Sequence, residues 1–171
     1  MSGKSSILIR TMSASDIDRV VEIASGLDHA PQWPRRVYEA ALSESSPRRI
    51  ILVAEDAGTG AAVGFAVAVM VPSEAELESI GVMAGYQRQG VGRRLFEAVS
   101  AELSRVQIRG LVLEVRDSNK AARGFYGSFG FIEVGRRPGY YADPVEDAIL
   151  MRLDVEGRPD AEKRAHRKVE M

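Results

Sequence analysis

The sequence predicts an α/β domain in which helices flank a mixed central sheet, and three observations predict it. β-Rich and helical segments run in the order β-α-α-β-β-β-α-β-α-β-β along 171 residues. The longest apolar run, Ala61 to Val71, follows the β-rich Arg49–Glu55 across a Gly-containing turn, a hairpin signature. Val91, Leu95, Val99 and Leu103 recur every four residues, which gives a helix one buried face.

Taken in order, Ser6–Arg10 is a short first strand. Ser15 caps a helix with Ile17, Val20, Val21 and Ala24 on its apolar face, and Gly26 lies near its end. HAPQWP, His29 to Pro34, is a loop, with Pro34 placed for the first turn of a second helix that ends near Ser43. The hairpin turns at Asp56–Gly60, and Pro72–Ala75 leads into a strand over Glu76–Val82. After the helix that carries the four-residue repeat come a strand at Leu111–Val115 and a helix from Ser118–Asn119 to about Phe129, stopped by Gly130. Phe131–Val134 and Asp147–Leu153 are expected as final strands, joined by a long polar loop over Gly135–Glu146. Residues 1–155 thus form one domain. Residues 156–171 mix both charge signs without apolar periodicity and are expected to be a frayed tail.

Composition narrows the chemistry. At 45% hydrophobic and 27% charged the chain is ordinary for a soluble globular domain. Its net charge of −1 gives no general attraction to nucleic acid or an anionic membrane. The start lacks the apolar core of a signal peptide, and no run is long enough to span a bilayer, so a cytoplasmic protein is expected. With no cysteine and two histidines, neither a thiolate or histidine-rich metal centre nor a cysteine nucleophile is expected.

The richest segment is Leu77–Leu95, LESIGVMAGYQRQGVGRRL. Arg88 lies in a Gly-containing turn, and Arg93 and Arg94 lie in the first turn of the following helix. Basic residues are unfavourable there, because the free N–H groups already carry partial positive charge. They make sense around a bound anion, which Gly90 and Gly92 allow the backbone to approach. The turn is not a Walker loop, since Val91, Gly92 and Arg93 follow Gly90 where a lysine and hydroxyl would be needed. It is not a Rossmann fingerprint either, because Leu95 occupies the place of the third glycine.

What remains, Gln87-x-x-Gly90-x-Gly92 after a strand, resembles the acetyl-coenzyme A signature of the GCN5-related N-acetyltransferases. LEVRDSNKAARGFYGSFGF (Leu113–Phe131) and RRPGYYADPVEDAILMRL (Arg136–Leu153) resemble the ribosomal-protein-alanine N-acetyltransferase (RimI) subfamily within it. The resemblance covers roughly Ile7 to Leu153. It departs at Phe125, at Gly124 and Gly127, at Pro138–Gly139 and around Trp33, all near the acceptor side.

The resemblance implies acetyl transfer from acetyl-CoA to the N-terminal amine of a protein, a small-subunit ribosomal protein beginning with alanine. It implies cofactor contacts from Ile80, Gly81 and Val82 along the pantetheine, from Arg88, Gln89, Gly90, Val91, Gly92 and Arg93 around the pyrophosphate, and from Asn119. The pantetheine contact requires a splayed or bulged edge, which Gly81 would permit. Read alone, Glu114 is a solvent-facing strand glutamate and Tyr126 a core aromatic; the resemblance makes them general base and general acid. An α-amine, with a pKa of about 7.7–8.0, needs only modest help from such a base. Trp33, Tyr140 and Tyr141 are expected to wall the acceptor. Arg136 and Arg137 fit either an acidic peptide or a solvated strand end, and His29 is given no role. Two alternatives stay open: an acetyltransferase for a small-molecule amine, and a non-catalytic acetyl-CoA sensor.

Overall fold

A computed structural model describes residues 6–43 and 47–155; the expected tail, 156–171, lies outside them. The elements are β1 (Ile7–Thr11), α1 (Ile17–Ser25), α2 (Arg35–Leu42), β2 (Arg49–Asp56), β3 (Ala61–Val71), β4 (Glu74–Val82), α3 (Val91–Arg105), β5 (Gly110–Arg116), α4 (Lys120–Ser128), β6 (Ile132–Ala142) and β7 (Val145–Asp154). They form one seven-stranded sheet in the order β1-β2-β3-β4-β5-β7-β6. Every pairing is antiparallel except β4 with β5, so the expected mixed sheet flanked by helices is what forms. Among the described residues no helix is long and apolar enough to cross a membrane.

Strand alternation splits the core in two. Leu52, Ala66, Leu77, Leu111 and Leu113 face α3, whose Leu95, Val99 and Leu103 are the buried face expected from the four-residue repeat. Ile51, Val53, Phe65 and Val67 face the other way, under Ile17 and Val20 of α1 and Tyr38 of α2. The entry to α1 rests on Ser13 and Asp16 rather than Ser15. The Ser13 N–H donates to Asp16 at 2.8 Å, and the Arg10 guanidinium grips the same carboxylate at 2.7 and 2.9 Å. This holds Asp16 near pKa 2, mainly through the Arg10 hydrogen bonds.

Two irregularities in β4 shape the centre of the molecule. On one side β4 pairs with β3 along its whole length; on the other it meets β5 only from Glu74 to Glu76, opposite Gly110 to Val112. Beyond that point the two parallel strands part as a fork. The β3–β4 ladder also slips, with Val67 opposite Ser79 and Ala68 opposite Leu77, which leaves Glu78 as the extra residue of a bulge. Arg49 pins Glu78 at 2.8 Å. Gly81 is therefore not what permits the bulge. Its role is close packing, since a Cβ there would lie 2.7 Å from Leu27 and 2.8 Å from Phe65.

The largest difference from the sequence expectation is at the C-terminal end. Gly135–Glu146 is not a loop: β6 runs to Ala142 and β7 begins at Val145. Being outermost, β6 has one neighbour only, so a proline and glycines are tolerated there. The β6–β7 register shifts twice, between Glu133 and Gly135 and between Arg137 and Tyr141, the second shift falling across Pro138–Gly139.

Candidate active site

The fork is the mouth of a cleft of about 860 Å³. Its walls are Glu76–Val82 of β4 and Leu113–Arg116 of β5, with Gly26–Pro31, Asn119, Ala122, Tyr126, Tyr140 and Tyr141 around them. Glu76 and Glu114 alternate with core residues that face α3, so they lie on the opposite face of the sheet. Tyr126, by contrast, belongs to the core on the α3 side. Groups from both faces thus line one opening that passes through the sheet.

At one end the chain from Met83 turns into α3. Gly90 has φ +84° and Arg88 +61°, so the loop curls in the left-handed region. Two glutamines brace it: Gln87 Nε2 donates to the Val82 carbonyl and Gln89 Nε2 to the Gly85 carbonyl, each at 2.9 Å. Among the described residues no acceptor meets the N–H groups of residues 88–93, which leaves a row of donors at the positive end of α3. A Cβ on Gly92 would sit 3.5 Å from Phe125, an ordinary contact, so protein packing does not demand glycine there. The three arginines separate clearly. Arg94 donates to the Ile7 carbonyl at 2.6 Å and fastens α3 to β1. Arg93 lies over the Phe129 ring at 4.7 Å and reaches Glu97 at 3.8 Å. Arg88 is exposed and makes no hydrogen bond or ion pair among the described residues.

Between the ends, Ile80, Gly81 and Val82 present the edge of β4 that β5 has left. Asn119 caps α4, its Oδ1 accepting from the Ala122 N–H at 3.1 Å, and faces the cleft. Tyr126 is buried, and its hydroxyl has no hydrogen-bond partner among the described residues. Burial pushes its pKa well above the ordinary phenol value, so it stays protonated.

At the other end side chains dominate. Glu114 lies half-buried on β5, with Arg137 Nε 3.0 Å from its Oε1. The Tyr140 phenol lies beside Glu114, whose carboxylate raises the phenol's pKa. Tyr141 stacks under Arg116 at 4.1 Å and edge-on to Tyr140 at 5.1 Å. Sequence reasoning overlooked Glu76, which shares this face; burial and the charges of Glu114 and Glu78 push its pKa up. The alternation of Glu74, Glu76 and Glu78 in β4 is the signal that could have found it. Trp33 is not among the lining residues and packs on Tyr38 at 5.6 Å, whereas His29 does line the cleft. Arg136 is a structural cation, paired with Asp117 at 2.8 Å and Asp147 at 3.0 Å.

Comparison with known proteins gives a consistent picture. The model of the acetyltransferase (GNAT) family matches residues 17–131. The [ribosomal protein bS18]-alanine N-acetyltransferase of Escherichia coli K12 is 45% identical over 98 residues, 56% of this chain and 66% of that protein. The N-alpha-acetyltransferase RimI of Mycobacterium tuberculosis is 35% identical over 154 residues, 86% of this chain and 92% of its own. The crystal structure of the ribosomal-protein-S18-alanine N-acetyltransferase from E. coli superposes with a TM-score of 0.79 at 32% identity, covering 91% of this chain and 98% of that one.

Proposed function

This chain belongs to the acetyltransferase (GNAT) family and is an acetyl-CoA-dependent N-acetyltransferase, and on that premise we propose that it acetylates the N-terminal α-amine of a protein. The acceptor is the N-terminal alanine of a small-subunit ribosomal protein, and the reaction takes place in the cytoplasm; the name of the E. coli relative, a [ribosomal protein bS18]-alanine N-acetyltransferase, supports this acceptor. Residues 1–155 form the catalytic domain. The observation that carries the reading is the fork: an opening through the sheet, with an anion-ready loop at one end and Glu114 at the other.

The residues present fit acetyl-CoA. The N–H groups of residues 88–93, with Arg88 beside them, would hold the pyrophosphate, and the side chain of Gln89 is spent on bracing the loop. The freed edge of Ile80, Gly81 and Val82 would receive the amides of the arm, with Asn119 opposite. When bound, acetyl-CoA supplies an activated thioester. Glu114, at the acceptor end, takes the proton from the amine, directly or through water, so that the lone pair is free to attack. Tyr126 keeps its proton because it is buried, and gives it to the departing sulfur. Tyr140 and Tyr141 border the acceptor's path.

Mass spectrometry of peptides beginning with Ala, Ser or Met, and of an N-blocked lysine peptide, after incubation with acetyl-CoA tests this reading. A single acetyl group on the α-amine of the Ala peptide is expected. Acetylation of lysine alone overturns the N-terminal assignment, and turnover confined to small free amines moves the acceptor to that class.

A further inference from the structure

Glu114 is held from a strand that does not adjoin its own. Arg137, its ion-pair partner, lies on β6 with Tyr140 close by, and β7 runs between β6 and β5. Arg137 keeps its place in the ladder at the edge of a bulge, and Tyr140 lies within the bulge. Arg137 pairs with Ala148 and the next matched pair is Tyr141 with Glu146, so the residues between bow out of the ladder. Gly139, at φ +59°, sits in the bow, and its N–H is anchored on Asp147 at 2.9 Å. The guanidinium of Arg137 lies 5.6 Å from the centre of the Tyr140 ring.

The neighbouring arginines have other partners. Arg136 holds Asp117 and Asp147, Arg116 holds Glu146, Arg49 holds Glu78 and Arg152 holds Glu74. Arg137 is the one that faces Glu114, and its charge also acts on Glu76. A glutamate on an open sheet face has several rotamers available, whereas proton removal needs one.

We propose that Arg137 is a positioning residue: it fixes the Glu114 carboxylate in the orientation from which the acceptor amine loses its proton. The inference rests on the assignment of Glu114 as the base. Arg137 acts through Glu114 and needs no contact with either substrate.

The test compares wild type, Arg137→Ala, Arg137→Lys, Glu114→Gln and the Glu114→Gln/Arg137→Ala double variant, using an Ala-initiated peptide and acetyl-CoA. Arg137→Ala should lower kcat about ten- to a hundredfold, with KM for acetyl-CoA and the thermal midpoint unchanged. Arg137→Lys should recover part of the loss. Once Glu114 is Gln, removing Arg137 should cost nothing more, because both act in one step. Full kcat in Arg137→Ala overturns the inference, as does a loss that persists undiminished in the Glu114→Gln background. Near-normal turnover by Glu114→Gln alone instead overturns the base assignment, and the role of Arg137 with it.

Discussion

The two ends of the cleft are built from different materials. Around Gly90 the working groups are main-chain N–H donors, and the nearby side chains mostly serve the protein: Arg94 ties down β1, Gln87 and Gln89 brace the turn, and Val91 is core. Around Glu114 the working groups are side chains brought together from β4, β5 and β6. The first end depends on a backbone path and tolerates many side chains. The second depends on individual atoms, so single substitutions there should be felt far more.

The largest expected effect is therefore at the acceptor end. Glu114→Gln should lower kcat by about 10²–10⁴-fold while leaving KM for acetyl-CoA alone, as read by steady-state kinetics with both substrates varied. Tyr126→Phe comes next, with a loss of about 10²-fold. Because burial raises the Tyr126 pKa, its acid form persists as pH rises; the wild-type rate should hold from pH 8 to about 10. A fall centred near the ordinary phenol value would remove Tyr126 from that role. At the loop end, Gly90→Val puts a branched side chain at φ +84°, which costs about 1–2 kcal/mol and should weaken acetyl-CoA binding roughly tenfold by calorimetry. Arg88→Ala should be the mildest, raising KM for acetyl-CoA about two- to fivefold, an effect that shrinks with added salt. If Arg88→Ala proved more damaging than Gly90→Val, the loop end would be a side-chain site after all.

The same contrast decides what the sequence could reveal. The loop end is local: Gln87 to Arg94 are consecutive, and their glycines and misplaced arginines can be read without knowing the rest of the chain. The helix over Val91–Arg105 was equally readable, since one buried face sets its period. The acceptor end was read only through resemblance, which pointed to Glu114, Tyr140 and Tyr141 but not to what they touch. That Arg137 meets Glu114 depends on the order β5-β7-β6 and on the register that sets Arg137 opposite Ala148, and no local pattern encodes either. Gly135–Glu146 reads as a loop because Gly, Pro and Asp are poor strand formers; an outermost strand accepts them because only one side must pair. Trp33 suits an acceptor wall by its chemistry, yet it packs against Tyr38.

β6 has a consequence outside the chemistry. It is a long outer strand with Ile132 and Val134 exposed, the kind of edge on which another copy could lengthen the sheet and seed aggregation. Its middle defeats that growth. Pro138 has no N–H to offer, and the two slips in register interrupt the straight edge a second chain would copy. The irregular stretch of β6 beside Arg137 thus also disfavours growth of the sheet along this edge.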